Sequence, residues 1–253
     1  MEYGLIGKTL VHSYSKEIHG LIGDYEYQLV SLAPEKLDRF MTERLFKGIN
    51  VTIPYKQAVI PYCQEISDRA GRIGSVNTVV NRDGVLWGYN TDYDGFLYMA
   101  GRAGISFTGA KVLILGSGGT RLTAQAAAEE EGAASVTVVS RKGPVTYDQL
   151  SSYYHYDILI NTTPVGMYPH TEDCPVELER FTNLRGVLDV IYNPLETCLV
   201  KSAGQLGIPV ANGLYMLVVQ AVKAHELFFQ KTLPEDMYEN IYRAFLKNMR
   251  MRH

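Results

Sequence analysis

The most constraining feature lies near the middle of the chain. Val112-Leu113-Ile114-Leu115 is apolar at every position, Gly116-Ser117-Gly118-Gly119 follows at once, and an Ala-rich helical stretch covers 122–131. A strand without alternation is covered on both faces, which points to a parallel sheet between layers of helices. Strand, glycine loop and helix in that order form a dinucleotide-binding turn. The glycines let the backbone approach a pyrophosphate, and the helix N-terminus adds amide donors and a favourable dipole. Apolar strands at 135–140, 157–162, 187–191 and 208–211 continue the pattern, with helical stretches at 147–153 and 197–207 between them. The expectation is a Rossmann-like domain over 98–213. Two closing helices, 213–229 and 234–249, are expected to pack on the N-terminal part, because this domain has already used its own helices.

The N-terminal part reads as a second α/β domain, 1–97 completed by 214–253, with a cleft between the two. Strands are expected at 3–7, 25–32 and 48–52, with weak helical character at 16–23 and a helix at 34–45 led in by Pro34. Further helices are expected at 56–60, 63–73 and 93–103, and a linker at 104–109. Asn81-Arg82-Asp83-Gly84 between the runs 76–80 and 85–89 is a strong hairpin signal. Three times an apolar, β-branched run is expected to deliver a small polar residue at its end: Thr52, then Asn77, then Asn90 and Asp92. Lys56 stands among them. Rigid strand ends beside open loops are where α/β proteins place binding groups. This inventory suits gripping a polyhydroxylated small molecule and moving one of its protons. Ser13 and Ser15 can present two hydroxyls to one anion such as a carboxylate, or can serve as an ordinary helix N-cap, the commoner use of such residues.

Composition excludes several classes. With 253 residues, a net charge of -3 and no basic stripe, nucleic acid and anionic membrane are poor partners. The three cysteines, Cys63, Cys174 and Cys198, are odd in number and far apart. They argue for a reducing compartment and against a disulfide framework or a zinc site. None of His12, His19, His155, His170, His225 and His253 has metal-ligand spacing, so no metal is expected. Met1 leads into a strand-like segment with no signal-peptide core and no membrane-length apolar run, so a cytoplasmic protein is expected.

The cofactor can be read further. The second strand of the glycine-loop domain ends Val139-Ser140-Arg141-Lys142, with no acid before Asp148. An acid there would accept from an adenosine ribose hydroxyl and select NAD, whereas a guanidinium suits a 2′-phosphate, so NADP is expected. The alternative is a solvated turn bearing two cations. Arg121 occupies the place of the fingerprint's third glycine. A cation at a helix N-terminus is unfavourable without an anion, so Arg121 either turns to solvent, the favoured reading, or holds phosphate.

Taken together, the motifs resemble the shikimate dehydrogenase family. The pieces are Gly4-Leu5-Ile6-Gly7 with His12-Ser13-Tyr14-Ser15, Asn50-Val51-Thr52-Ile53-Pro54-Tyr55-Lys56, Ile73-Gly74-Ser75-Val76-Asn77-Thr78 and Gly88-Tyr89-Asn90-Thr91-Asp92. After the Gly116 loop come Asn161-Thr162-Thr163-Pro164-Val165-Gly166-Met167, Asp189-Val190-Ile191-Tyr192-Asn193-Pro194 and Asn212-Gly213-Leu214-Tyr215-Met216-Leu217-Val218-Val219-Gln220-Ala221. They span nearly the whole chain in the family's order.

The resemblance implies reversible reduction of 3-dehydroshikimate by NADPH, on the route to chorismate and the aromatic amino acids. It implies Lys56 and Asp92 as the catalytic pair and Ser13 and Ser15 on the substrate carboxylate, with Tyr192 near it. Thr52, Asn77 and Gln220 would bind ring hydroxyls. Gly116, Ser117, Gly118, Gly119, Thr120, Ser140, Arg141 and Lys142 would hold the cofactor's phosphates and ribose. Thr162, Val190, Ile191, Gly213 and Met216 would border its nicotinamide. Departures from the family pattern are Lys16 for the usual Pro, Gly20 for Asn, and Ser117 and Arg121 in the glycine loop. A quinate/shikimate dehydrogenase using NAD is the enzymatic alternative. Two serines, rather than a Ser/Thr combination, and Arg141 favour shikimate with NADP. A non-catalytic NADP-binding regulator is the alternative from another class, and Lys56 with Asp92 argues against it. Whether Lys56 donates the proton or clamps the developing charge stays open, as does monomer against homodimer.

Overall fold

The computed structural model describes residues 1–10 and 13–250. The first half of the chain runs β1 (Tyr3–Gly7), α1 (Ser15–Ile22), β2 (Tyr27–Ser31), α2 (Leu37–Glu43), β3 (Gly48–Val51), β4 (Glu65–Ile66), α3 (Asp68–Ile73), β5 (Thr78–Arg82), β6 (Val85–Tyr89) and α4 (Asp92–Arg102). The remainder runs β7 (Lys111–Leu115), α5 (Gly119–Glu130), β8 (Ser135–Val139), β9 (Ile158–Asn161), β10 (Gly186–Asp189), α6 (Cys198–Gln205), β11 (Val210–Ala211), α7 (Leu214–Phe229) and α8 (Asp236–Arg250). Met1–Asp94 joins the stretch from Val218 onward in one compact unit, and Gly95–Leu217 forms a second.

The first unit is built on a six-stranded sheet in the order β2-β1-β3-β5-β6-β4. β2, β1 and β3 are parallel, whereas β5 is antiparallel to both β3 and β6. The reversal from β5 to β6 comes from the hairpin turn, where Asp83 and Gly84 both take positive φ, 52° and 89°, as a type I′ turn requires. Alternating side chains split the sheet's burial. Ile6, Ile49, Val79 and Leu86 pack with Leu37 and Met41 of α2 and Ala70 of α3. Leu5, Tyr27 and Val80 pack with Ala224 and Phe228 of α7. α8 lies against α1, with the ring of Phe245 at 5.2 Å from that of Tyr14. The closing helices therefore complete the first sheet's second face.

The second unit has a five-stranded, wholly parallel sheet, β11-β10-β9-β7-β8. Val112, Leu113, Ile114 and Leu115 are all fully buried, as an unalternated strand between two helical layers must be. Ala124, Ala127 and Ala128 are buried on α5, and their small side chains allow close approach to the sheet. The strand order reverses between β7 and β9. In doubly wound sheets the carboxyl edge at such a switch point is where ligands bind.

Two local expectations fail. Residues 56–59 form turns, followed by a 3-10 segment at Ile60–Tyr62 instead of a helix over 56–60, since Pro61 has no N–H to continue one. The run 63–73 is split: Glu65–Ile66 pair with Trp87–Gly88 at the sheet edge, and α3 starts only where Ser67 caps it by accepting from the Ala70 amide at 3.3 Å. Tyr147–Tyr153 is helical as expected, in the 3-10 form, begun by a Thr146/Gln149 capping box. The cysteine argument also needs correction. Cys174 and Cys198 form a disulfide, with Cα atoms 5.3 Å apart. An odd count leaves one thiol over but does not prevent one pair from meeting in space. Among the described residues no helix is long and apolar enough to cross a membrane.

Candidate active site

The polar residues of the first unit meet at one sheet edge for a topological reason. Asn77 precedes its strand rather than ending one. Because β5 runs antiparallel, its start lies beside the ends of β3 and β6, in the register Asn50, Thr78, Tyr89. Thr52 follows β3, and Asn90, Thr91 and Asp92 follow β6. β1 is parallel to β3, so the segment carrying Ser13 and Ser15 leaves from that edge too.

Lys56 donates to Asp92 Oδ2 at 2.5 Å, with only 11% and 9% of the two side chains exposed. Asp92 opens α4, where a carboxylate is favoured by the helix dipole. The backbone around Lys56 is pinned by the Val76 amide donating to its carbonyl at 2.8 Å. A nearly buried, hydrogen-bonded ion pair is rigid, and removing either partner strands the other charge.

Asn77 is oriented by its neighbours. Its Oδ1 accepts from the Thr91 amide at 2.7 Å, and its Nδ2 donates to Thr91 Oγ1 at 3.0 Å. Behind it, buried Asn50 accepts from the Tyr27 hydroxyl at 2.8 Å and donates to Thr78 Oγ1 at 3.0 Å. Asn50, Thr78 and Thr91 carry no assignment from motif reading; for Thr78 and Thr91 the available signal was adjacency to Asn77 and Asp92 in the chain, and for Asn50 its place two residues before Thr52. Ser13 Oγ accepts from the Ser15 amide at 3.3 Å and lies 3.2 Å from Ser15 Oγ, so the two hydroxyls do stand together, while the N-cap of α1 is Tyr14, without a side-chain cap. Asn90 donates to the Ser75 carbonyl and accepts from the Tyr93 amide, which makes it a cap for α4. Gln220 is buried on α7. His12 lies outside the described residues. His19 is neutral, since burial pushes its imidazole down to about 3, and it stacks on Tyr27 at 3.8 Å as a core residue.

A cavity of about 620 Å³ on this unit is lined by Asn90 and Thr91 and by charged groups, of which Arg69 pairs with Asp94 at 3.0 Å and Lys223 with Glu226 at 2.8 Å. Among the described residues no cluster of His, Cys, Asp or Glu could hold a metal.

In the second unit the glycine loop fits a close-approaching phosphate. Gly116 has φ +108°, and a Cβ there would meet Thr162 Oγ1 at 2.8 Å. α5 begins at Gly119 with Gly118 as its N-cap, leaving first-turn amides for an anion. Thr162 is fixed by donating to the Leu115 carbonyl at 2.7 Å. The Val190 amide donates to the Asn161 carbonyl at 3.1 Å, and the Gly213 amide to Ile191 at 2.9 Å. The structure thus brings Gly116, Thr162, Val190, Ile191 and Gly213 to one edge. Met216 is buried on α7 and Tyr192 follows Ile191 within this unit. Ser140 is buried, while Arg141 and Lys142 are exposed at the end of β8, available to an incoming phosphate. Arg121 does not turn outward. It is half-buried, its Nη1 donates to Gln125 at 2.7 Å, and its Nε has no partner.

Asp189 is the residue that motif reading left without a role. Wholly buried, it accepts from Asn161 Nδ2 at 3.0 Å, the Ile191 amide at 3.1 Å and Thr197 Oγ1 at 2.7 Å. Burial pushes its carboxyl up to about 6, against the opposing pull of those hydrogen bonds. It ties the loops after β9 and β10 to the start of α6.

Comparison with known proteins bears on this arrangement. A family model described as the shikimate dehydrogenase substrate binding domain matches residues 5–79. Shikimate dehydrogenase (NADP(+)) from Clostridium beijerinckii is 37% identical over 263 residues, covering 96% of this chain and 97% of that protein. The crystal structure of a chorismate mutase/shikimate 5-dehydrogenase fusion protein from Clostridium acetobutylicum superposes with a TM-score of 0.91 at 35% identity, covering 98% of each chain. Quinate dehydrogenase from Corynebacterium glutamicum, solved in complex with NAD, gives a TM-score of 0.86 at 27% identity over 98% of this chain and 99% of that one.

Proposed function

The chain belongs to the shikimate dehydrogenase family, and from that premise we propose that it catalyses the reversible NADPH-dependent reduction of 3-dehydroshikimate to shikimate. The observation that carries the reading is the buried Lys56–Asp92 pair, 2.5 Å apart, beside the oriented amide of Asn77. The first unit holds the substrate groups and the second the cofactor groups. A cytoplasmic enzyme fits the lack of a membrane-length helix among the described residues.

When bound, the nicotinamide supplies the hydride. As the ketone becomes an alkoxide, the Lys56 ammonium either donates a proton to that oxygen or stabilises its charge. Asp92 holds the ammonium in place and accepts from a substrate hydroxyl. Ser13 and Ser15 receive the carboxylate, with Tyr192 near it. Thr52, Asn77 and Gln220 engage ring hydroxyls. The bare backbone of the Gly116 loop and the first turn of α5 hold the pyrophosphate, and Arg141 and Lys142 take the 2′-phosphate. The nicotinamide is bordered by Thr162, Val190, Ile191, Gly213 and Met216.

The test is a two-by-two rate comparison on the purified protein, shikimate or quinate with NADP or NAD, followed by nicotinamide absorbance. Fast turnover only with shikimate and NADP is expected. Turnover on quinate with NAD would replace the specificity reading, which the similarity to a quinate dehydrogenase makes the second candidate. No turnover with any pair, in protein that still binds NADP, would favour a regulator.

A further inference from the structure

The disulfide lies in the second unit and connects two segments that the proposed function places at the cofactor. Cys174 closes the loop that leaves β9 through Thr162, and Cys198 is the first residue of α6, reached from Val190 and Ile191. Cys174 is exposed and Cys198 half-buried, so a soluble thiol can reach the bond. Elsewhere the two segments are joined by Asn161 Nδ2 donating to Asp189 and by the Tyr168 amide donating to the Asn193 carbonyl at 3.1 Å. Those contacts secure the root and the middle of the loops. The sulfurs secure the far end, and nothing in the function proposed above requires them.

We propose that Cys174–Cys198 is a reversible thiol–disulfide exchange site whose reduction frees the loop from Thr162 to Cys174 and weakens cofactor binding; the second half rests on the cofactor assignment above. The reductant is a small thiol or a protein dithiol. Its thiolate attacks the exposed Cys174 sulfur, the S–S bond breaks, and Cys198 leaves with the electron pair and takes a proton from water. A second thiolate of the reductant then attacks the mixed disulfide and releases Cys174, also as a thiol. The protein disulfide gains two electrons and two protons, and the reductant becomes a disulfide. Cys198 suits the leaving role because it opens a helix, where the dipole stabilises a thiolate. Cys63 stands apart as an internal reference. It donates to the Val59 carbonyl at 3.5 Å, and burial pushes its thiol up to about 11, which makes it slow to react.

The test uses the full chain after incubation with oxidised glutathione or with dithiothreitol. Native thiol titration should find only slow Cys63 in the first sample and two additional fast thiols in the second. Calorimetric titration with NADP should give a Kd about fivefold or more higher in the reduced sample, the low end of typical coupling between sites. Cys174→Ser should hold the weaker affinity in both conditions, and Cys198→Ser provides the same comparison should that variant fold poorly. Three thiols after oxidised glutathione would overturn the exchange site. Thiol counts that change while the NADP Kd does not would overturn the link to the cofactor. If neither form binds NADP, the cofactor assignment itself fails, and the thiol counts still decide whether exchange occurs.

Discussion

At the edge formed by β3, β5 and β6 the polar groups are side chains that hold one another: Lys56 on Asp92, Asn77 on Thr91, Asn50 on Thr78. At the edge formed by β7 and β9 the corresponding space is lined by backbone, with Gly116 where any side chain would strike Thr162. The contrast follows from what each edge is proposed to meet. Recognising ring hydroxyls and moving a proton needs donors of particular type and pKa, which only side chains supply. Holding a pyrophosphate needs close approach and amide donors, which side chains obstruct. One edge is therefore sensitive to losing a side chain, and the other to gaining one.

The sharpest way to break this contrast is Lys56→Ala. Turnover of shikimate with NADP should fall by roughly 10²–10⁴ while NADP binding is kept; near-normal turnover would remove Lys56 from the chemistry. Gly116→Val probes the other edge with the opposite kind of change. A β-branched residue at φ +108° and against Thr162 should cost about 2–3 kcal/mol in strain and clash. It should appear as weakened NADP affinity by titration, with shikimate binding retained. An unchanged NADP Kd would argue that the loop does not carry the phosphates.

The smallest expected effect concerns Asp189. Its carboxyl titrates near 6 in the fold and near 3.9 unfolded, so between those values the folded protein binds more protons. Stability is then highest below pH 4 as far as this group is concerned, falls as pH rises through 6, and stays reduced above that. Asp189→Asn keeps the shape and removes the titration. Denaturant unfolding should show a loss of stability between pH 4 and 7 that is smaller by about 2 kcal/mol in the variant. An identical slope in both proteins would mean the carboxyl is ionised throughout.

The parts legible in the sequence are those set by neighbouring residues. Unalternated Val112-Leu113-Ile114-Leu115 announced a strand covered on both faces, Asp83-Gly84 announced its turn, and the glycines after Leu115 announced close backbone approach. The parts that were not legible depend on partners distant in the chain. Glu65 and Ile66 carry helical spacing, yet they add to the sheet because Trp87 and Gly88 offer a free edge. Cys174 and Cys198 meet only because the loop after β9 returns to the start of α6. Asp189 gains its role from Asn161 and Thr197, 28 and 8 residues away.

The sequence by itself determined the two α/β domains, the glycine loop and the types of residue available for chemistry, since strand periodicity and turn chemistry are local properties of the chain. The tertiary structure alone decided which of those residues stand together. Asn77 joins Thr52 and Asp92 because β5 runs antiparallel, and strand direction is settled by pairing across the sheet rather than by the strand's own residues. Lys56 and Asp92, 36 residues apart, form one ion pair for the same reason.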